Sequence, residues 1–196
     1  HSFSRVLSAR IPGALADELI IAVPVNRHDR GHESAREDTT PRIALGLALA
    51  VACSEMALPL SVRVLFLGAE YGEPPAYPMG SRLFLSRFFP QHQSVVFYLD
   101  FAYAPTRVTL RAGDSNHVTP YWLVESCSNA MDGASLYYLV RGNETQFYRL
   151  GLAVNPAPLE PYLDESIPGV SIHSGGAPVV GDREQPHVVD RPAAGD

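Results

Sequence analysis

An apolar run that ends on a carboxylate and opens into a loop rich in glycine and proline constrains this fold most. Residues 62–72 (VRVLFLGAEYG) have this form, and the loop after them leads into an apolar segment that begins MGS at 79–81. A nearly continuous apolar run is typical of a strand covered on both faces of a sheet. In α/β proteins, chemistry is placed at the carboxyl ends of such strands. The pattern therefore predicts that Glu70 lies at a functional edge.

Two other segments have the same construction. Residues 19–26 (LIIAVPVN) lead through a polar loop to Asp38, and residues 94–100 (SVVFYLD) end on Asp100. If these strands are parallel neighbours, the acidic groups are delivered to one edge of the sheet. Such an arrangement suits a metal site or the remnant of one.

The remaining pattern alternates strands with helices. Two helical segments each open on a Thr-Pro pair, which is typical of a capped helix start with proline in the first turn. We predict a three-layer αβα fold around a mostly parallel central sheet. The main predicted strands are 18–25, 61–68, 94–101 and 167–172, the main helices are 41–57 and 119–131, a shorter helix covers 81–89, and further strands lie near 4–8 and 106–111. The pattern of residues 136–148 predicts neither a helix nor a strand clearly.

Composition limits the classes of function. The chain has 196 residues, 46% of them hydrophobic, which is enough for one domain with a full core, predicted at residues 1–174. Residues 175–196 contain few large apolar side chains and are predicted to form a disordered tail. A net charge of -6 without a basic cluster argues against nucleic-acid binding. No apolar run reaches the roughly 18–20 residues that a membrane span needs.

Six short phrases in order resemble the di-zinc aminopeptidase family, which also includes bacterial leucine aminopeptidase, glutaminyl cyclases and the ectodomains of transferrin receptor and nicastrin. The match extends over roughly residues 3–173, although each phrase is short. They are SRVLSARIPG at 4–13, AVPVN at 22–26, DTTPRIA at 38–44, LGAEYG at 67–72 followed by GS at 80–81, LD at 99–100, and YLDESIP at 162–168. The resemblance implies a phosphorylase/hydrolase-like zinc-exopeptidase architecture.

The resemblance also assigns roles to individual positions. It implies that Asp38 matches the carboxylate that bridges the two metals, Glu70 the general base, and Asp100 a further carboxylate ligand. Pro24 stands where the family has a histidine ligand, and Tyr71 stands where a second glutamate binds zinc. The family's histidine before the last phrase is also missing from this chain.

Ligand counting then argues against catalysis. A catalytic zinc takes about three protein ligands plus water, whereas each site here would keep at most two carboxylates. We therefore expect no cofactor, and Glu70 is expected to be idle. The leading hypothesis is a catalytically inactive aminopeptidase-like domain that acts as a binding or structural module, with a protein partner or the rest of a larger chain. Only the resemblance favours an extracytoplasmic location.

The main alternative is a divergent metal-dependent peptidase or amidase. In that case His28, His32 or His173 would join Asp38 and Asp100 around zinc or another divalent cation. Imidazole nitrogen is a preferred zinc ligand, but loop histidines are also commonly solvated.

Two interpretations of the acidic residues that need no metal stay open. Glu70 and Asp100 could serve as an acid–base pair. They could equally have a structural role, because carboxylates at strand ends often cap helix N-termini or pair with arginine. Arg27, Arg42 and Arg82 are the candidate partners in the sequence.

Overall fold

The computed structural model describes residues 5–26, 38–71, 78–88, 93–101, 107–114, 117–140, 150 and 158–174. Strands and helices alternate along much of this part of the chain. The strands are β1 (Val6–Ile11), β2 (Leu15–Pro24), β3 (Leu60–Leu67), β4 (Ser94–Asp100), β5 (Val108–Arg111), β6 (Gly113–Asp114), β7 (His117–Val118), β8 (Tyr138–Val140) and β9 (Gly169–Ser174). The helices are α1 (Thr40–Ser54), α2 (Met79–Leu85), α3 (Tyr121–Gly133) and α4 (Glu160–Asp164).

Seven of these strands form one mixed sheet in the order β1-β3-β2-β4-β9-β5-β8. Strands β3, β2, β4 and β9 are parallel neighbours, while β1 runs antiparallel to β3 and β5 runs antiparallel to β9. The predicted α/β class with a mostly parallel sheet is confirmed.

Alternating side chains of the central strands pack into different cores. Ile20 and Ala22 of β2 belong to an apolar cluster that includes residues of α2 and α4. Ile21 and Val23, which point to the opposite face, pack in a cluster that α1 covers. Helix α3 packs on a third cluster with Val170 of β9. Helices therefore flank both faces of the sheet, as three layers require.

The helix boundaries differ from the prediction by a few residues, with local causes. Helix α1 ends at Ser54 rather than near 57. Helix α3 begins at Tyr121 because Pro120 is its N-cap, with an extended backbone. Within the ambiguous segment 136–148, strand β8 forms at Tyr138–Val140, and positions 141–148 lie outside the described residues. The predicted tail at 175–196 also lies outside them.

Both cysteines are free thiols. Cys127 is buried, whereas Cys53 is half-buried. In the described part of the chain, no helix combines the length and apolarity that a membrane crossing needs.

Candidate functional site

The candidate site lies at the carboxyl edge of the parallel strands. Ala22 of β2 is level with Leu65 on one side and Tyr98 on the other. Two residues further along, Pro24 is paired with Leu67. On the far side of β4, Asp100 is paired with His173 of β9. The ends of these strands are therefore aligned.

Glu70 follows β3 and is fully buried. The backbone N–H of Ser81 donates to its Oε1 at 2.6 Å, and the Ser81 hydroxyl donates to its Oε2 at 2.7 Å. Tyr98 donates its hydroxyl to the same Oε2 at 2.8 Å. The Asn26 side chain holds the backbone of residues 70–71 in place. Its Oδ1 accepts from the Glu70 N–H, and its Nδ2 donates to the Tyr71 carbonyl. Glu70 thus binds the start of α2.

Burial sets the protonation of this cluster. Removal from water raises the pKa of Glu70 from 4.5 to about 7, although the Ser81 and Tyr98 hydrogen bonds oppose the rise. Burial, together with the Glu70 charge, raises the pKa of Tyr98 well above 10. Burial likewise raises the pKa of Tyr162, whose hydroxyl lies 3.2 Å from Ser81 Oγ. Both tyrosines are therefore protonated at neutral pH.

Gly80 allows α2 to approach Glu70 this closely. A Cβ at position 80 would lie 2.5 Å from Glu70 Oε1 and 2.4 Å from the Gly68 carbonyl oxygen. Either contact is far inside van der Waals distance. The Gly-Ser pair at 80–81 therefore has a packing reason as well as a hydrogen-bonding one.

Asp100 is held by a different set of partners. Tyr71 donates its hydroxyl to Oδ1 of Asp100. Nη1 of Arg42 lies 3.5 Å from the same oxygen, and Nδ1 of His173 lies 3.2 Å from Oδ2. The Asp100 side chain is only 7% exposed. An arginine therefore pairs with this carboxylate, which is the structural alternative that the sequence left open.

Arg42 is fully buried in the first turn of α1. Its guanidinium also donates to the carbonyls of Phe101, at 3.2 Å, and Asn26. It lies over the Tyr71 ring, 5.6 Å from the ring centre. Helix α1 is thereby attached to the ends of β2 and β4.

Ser171, His173 and Asp100 form a continuous polar chain. Ser171 Oγ lies 2.7 Å from His173 Nε2, and His173 Nδ1 faces Asp100. The distances match those of a nucleophile, a base and an orienting acid. Ser171 is only 1% exposed, however, so a substrate carbonyl has no route to its hydroxyl in this conformation.

Asp38 is placed differently from the other two acidic residues. It is exposed, and its Oδ1 accepts the Thr40 N–H at 2.9 Å at the start of α1. Asp38 lies four residues before Arg42 in the sequence, just before the N-cap of α1. Among the residues that the structure describes, no three His, Cys, Asp or Glu side chains form a group that could hold a metal ion. His28 and His32 lie outside the described residues.

The described donor set does not fit a pair of zinc ions. Pro24 offers no side-chain donor atom, and Tyr71 uses its hydroxyl to donate to Asp100. The guanidinium of Arg42 occupies the position beside Asp100 where a cation would be attracted. The assignment of Pro24 and Tyr71 to former ligand positions stays a prediction.

Sequence reasoning did not identify Tyr98, Ser171 and Asn26 as hydrogen-bond partners in this site. A usable signal existed for Tyr98, because it lies two residues before Asp100 and so on the same face of β4. The same spacing relates Ser171 to His173 on β9. Asn26 carried no such signal, since its partners lie on another strand end.

Solved structures with the same fold support the resemblance. A glutaminyl cyclase from an Acidobacteriales bacterium superposes with a TM-score of 0.64 at 12% identity, covering 87% of this chain and 58% of that one. A putative Zn-dependent exopeptidase from Bacteroides vulgatus gives 0.61 at 11% identity, covering 86% and 62%. The Porphyromonas gingivalis glutaminyl cyclase gives 0.57 at 12% identity, covering 89% and 69%. The zinc-exopeptidase-like fold is confirmed, and the chain spans about three fifths of the length of the first two.

Sequence comparison adds a family. No curated protein matches the chain by sequence. The model of the TP_0564 family, first domain, matches residues 45–180, which is more than half of the chain. The chain therefore belongs to the TP_0564 family, whose first domain it matches.

Proposed function

We propose that this chain is a catalytically inactive zinc-aminopeptidase-like domain that acts as a binding or structural module. The observation that carries the proposal is the buried contact between Arg42 and Asp100. In a di-zinc site, carboxylates at such a strand end face metal ions. Here a permanent organic cation pairs with the carboxylate instead.

Entry of a zinc ion would disrupt this arrangement. A dication beside Asp100 would be repelled by the guanidinium at close range, and that repulsion is strong away from water. Displacing Arg42 would break its bonds to the Phe101 and Asn26 carbonyls. We propose that the domain has no resident metal.

Glu70 is poorly placed to act as a general base. A base must reach the proton of its water or substrate within hydrogen-bond distance. The Glu70 oxygens accept from Ser81 and Tyr98, and the side chain is fully buried. These contacts also weaken the reading of Glu70 and Asp100 as a metal-free acid–base pair, because each carboxylate is engaged by protein donors.

A binding role is supported by the outer face of α1. Leu45, Leu47 and Val51 are 37%, 54% and 58% exposed, and the sequence has no charged residue between Arg42 and Glu55. Surface helices normally carry polar residues on the outer face, and contiguous exposed apolar surface marks interaction sites.

We propose that this face packs against another domain of the same polypeptide. A helix of 15 residues is about 22 Å long, which is small for a stable interface between separate proteins. Covalent linkage raises the effective concentration and makes a small contact sufficient. The description of the matched family model as a first domain is consistent with such a neighbour.

Metal analysis with activity assays tests the proposal. We expect no stoichiometric zinc in purified protein, and no hydrolysis of chromogenic amino-acid amides or cyclisation of N-terminal glutamine, with or without added Zn²⁺, Co²⁺ or Mn²⁺. Zinc at one or two ions per chain, with an activity that Glu70→Gln abolishes and exposed-site Glu165→Gln preserves, would refute it. A zinc signal lost in a His28→Ala/His32→Ala variant would favour the divergent metal enzyme.

The chain from Ser171 to Asp100 suggests a second candidate, a serine hydrolase. A fluorophosphonate probe would label an activated serine. We expect no labelling above that of Ser171→Ala, because Ser171 is buried. Labelling that depends on both Ser171 and His173 would establish the hydrolase instead.

A further inference from the structure

An arginine-lined groove lies between β1 and α2, away from the site described above. It encloses about 610 Å³. Its apolar surface includes Leu83, Phe84 and Phe88 on the helix side. Arg5, Arg63 and Arg87 line it as well, and no acidic residue is among its described lining residues. The groove is therefore positive in a chain whose net charge is -6.

Arg63 is a fixed part of the groove. Its Nε and Nη2 donate to Glu18 at 2.8 and 3.0 Å, and its Nη1 donates to Ser8 Oγ at 3.3 Å. Its guanidinium lies over the Phe88 ring, 5.1 Å from the ring centre. Glu18 is shared with Arg10, whose Nε donates to it at 2.9 Å. One carboxylate thus serves two arginines, which leaves an excess of positive charge.

Arg5 and Arg87 are the available cations. Both side chains are exposed, and neither forms an ion pair with any residue in the part of the chain that the structure describes. Exposed guanidinium groups bind carboxylates in a bidentate manner. The groove therefore combines an aromatic surface with two arginines that form no ion pair to a described residue.

Strand β1 supplies a third element of recognition. It is the terminal strand of the described sheet and pairs with β3 on one side. Its residues from Leu7 to Arg10 are exposed in succession. An open edge strand presents unpaired N–H and C=O groups to which an extended peptide can be added.

We propose that β1 and this groove bind an extended peptide of a partner protein that carries acidic residues around aliphatic side chains. The peptide backbone pairs with the edge of β1 that faces away from β3. Its aliphatic side chains contact Phe84 and Phe88, and its carboxylates reach Arg5 and Arg87. Charge complementarity selects an acidic peptide over a basic one.

The apolar surface argues for a peptide rather than a simple anion. A free phosphate would need only the guanidinium groups, and its binding would gain nothing from Phe84 or Phe88. An extended peptide can use the cations, the aromatic rings and the strand edge together, because successive side chains of a strand point to opposite sides.

Fluorescence polarisation tests the proposal with defined probes. The first probe is a fluorescein-labelled peptide of three aliphatic residues with two glutamates on each side, about the length of a strand. The comparison peptides carry lysine in place of glutamate, or N-methyl groups on the central amides. We expect binding of the first probe alone, and weakening as salt rises from about 0.05 to about 0.3 M because exposed charges are screened.

Charge-reversal variants locate the site. Arg5→Glu and Arg87→Glu should each weaken binding by about three- to tenfold, in line with the loss of an exposed ion pair and the addition of repulsion. Arg82→Glu is the matched control, because Arg82 is exposed on α2, five residues before Arg87, but does not line the groove. It should bind nearly as well as the wild type.

Several outcomes would overturn the proposal. These are no binding of the acidic probe, equal binding of the lysine peptide, unchanged binding of the N-methylated peptide, or equal loss in Arg82→Glu. Displacement by inorganic phosphate would reassign the groove to a simple anion. Sedimentation of the protein with phosphatidylglycerol vesicles, without peptide binding, would reassign it to lipid.

Discussion

Nη1 of Arg42 lies 3.5 Å from Oδ1 of Asp100, and both side chains are buried, with exposed fractions of 0% and 7%. The pair joins the first turn of α1 to the end of β4. Tyr71 completes the contact, because its hydroxyl donates to Asp100 and its ring lies under the guanidinium. At this edge of the sheet, Arg42, Asp100 and Tyr71 therefore form one buried cluster.

Removing Arg42 should destabilise the domain strongly. Arg42→Ala would leave Asp100 buried without its cation, a change that costs about 3–5 kcal/mol for buried pairs. Urea denaturation should show this loss in the free energy of unfolding. The exposed Arg82→Ala control should stay within about 0.5 kcal/mol of the wild type. A loss below about 1 kcal/mol in Arg42→Ala would show that the pair is not a structural link.

Stability should fall as pH rises through the titration of Glu70. The folded-state pKa is about 7 against 4.5 for the ordinary group, so between these values the folded state holds a proton that the unfolded chain releases. The stabilisation is present below about pH 4.5 and is lost by about pH 7, with a size of roughly 3 kcal/mol.

Glu70→Gln isolates this contribution. A glutamine keeps an oxygen for the Ser81 N–H and offers donors to the Ser81 and Tyr98 hydroxyls, so it mimics the protonated acid. The difference in unfolding free energy between wild type and variant should change across pH 4.5–7 and be flat above it. A constant difference across the window would contradict the raised pKa.

Tyr98→Phe should raise the pKa of Glu70 further. The Tyr98 hydroxyl donates to Glu70 Oε2 at 2.8 Å and so favours the charged carboxylate. Removing the hydroxyl takes away one of the hydrogen bonds that lower the pKa of Glu70. Carboxyl ¹³C shifts recorded against pH would measure the change. Tyr71→Phe is the control, because that hydroxyl binds Asp100 instead, and it should leave the Glu70 titration nearly unchanged.

Gly80→Ala should destabilise the domain, whereas Gly133→Ala should not. At position 80 a methyl group would meet the Gly68 carbonyl oxygen at 2.4 Å and Glu70 Oε1 at 2.5 Å. Overpacking of this kind costs about 1–3 kcal/mol or more. At Gly133 nothing lies within 4 Å of the added Cβ, and alanine is the better helix former by up to about 1 kcal/mol. Thermal unfolding of both variants distinguishes them, and equal effects would contradict the close packing of α2 on Glu70.

Much of the fold followed from local pattern. The apolar runs that predict strands at 18–25, 61–68 and 94–101 correspond to β2 (Leu15–Pro24), β3 (Leu60–Leu67) and β4 (Ser94–Asp100). The pattern is readable because each of these strands is covered on both faces and must be apolar along its length. The proline positions indicated where helices start, because the fixed φ of proline suits the first turn and the N–H that it lacks is not needed there.

The side chains that pair with the acidic residues could not be predicted from local sequence pattern. The sequence named Arg42 as one of three arginines that could pair with a strand-end acid, and it had no means to choose among them. The choice depends on where α1 packs, which brings Arg42 to Asp100 and to the Phe101 and Asn26 carbonyls together.

The turn after β3 also has a conformation that the local sequence does not predict. Ala69 has a positive φ of 54°, a conformation that alanine does not favour, so its sequence gives no sign of it. The Met79 N–H donates to the Ala69 carbonyl at 3.0 Å, and Gly80 packs on the Gly68 carbonyl. Apolar periodicity, a local property, determined which segments became strands and helices. The protonation and partners of Glu70 and Asp100 were decided by tertiary packing, because burial and long-range hydrogen bonds act only once the helices lie on the sheet.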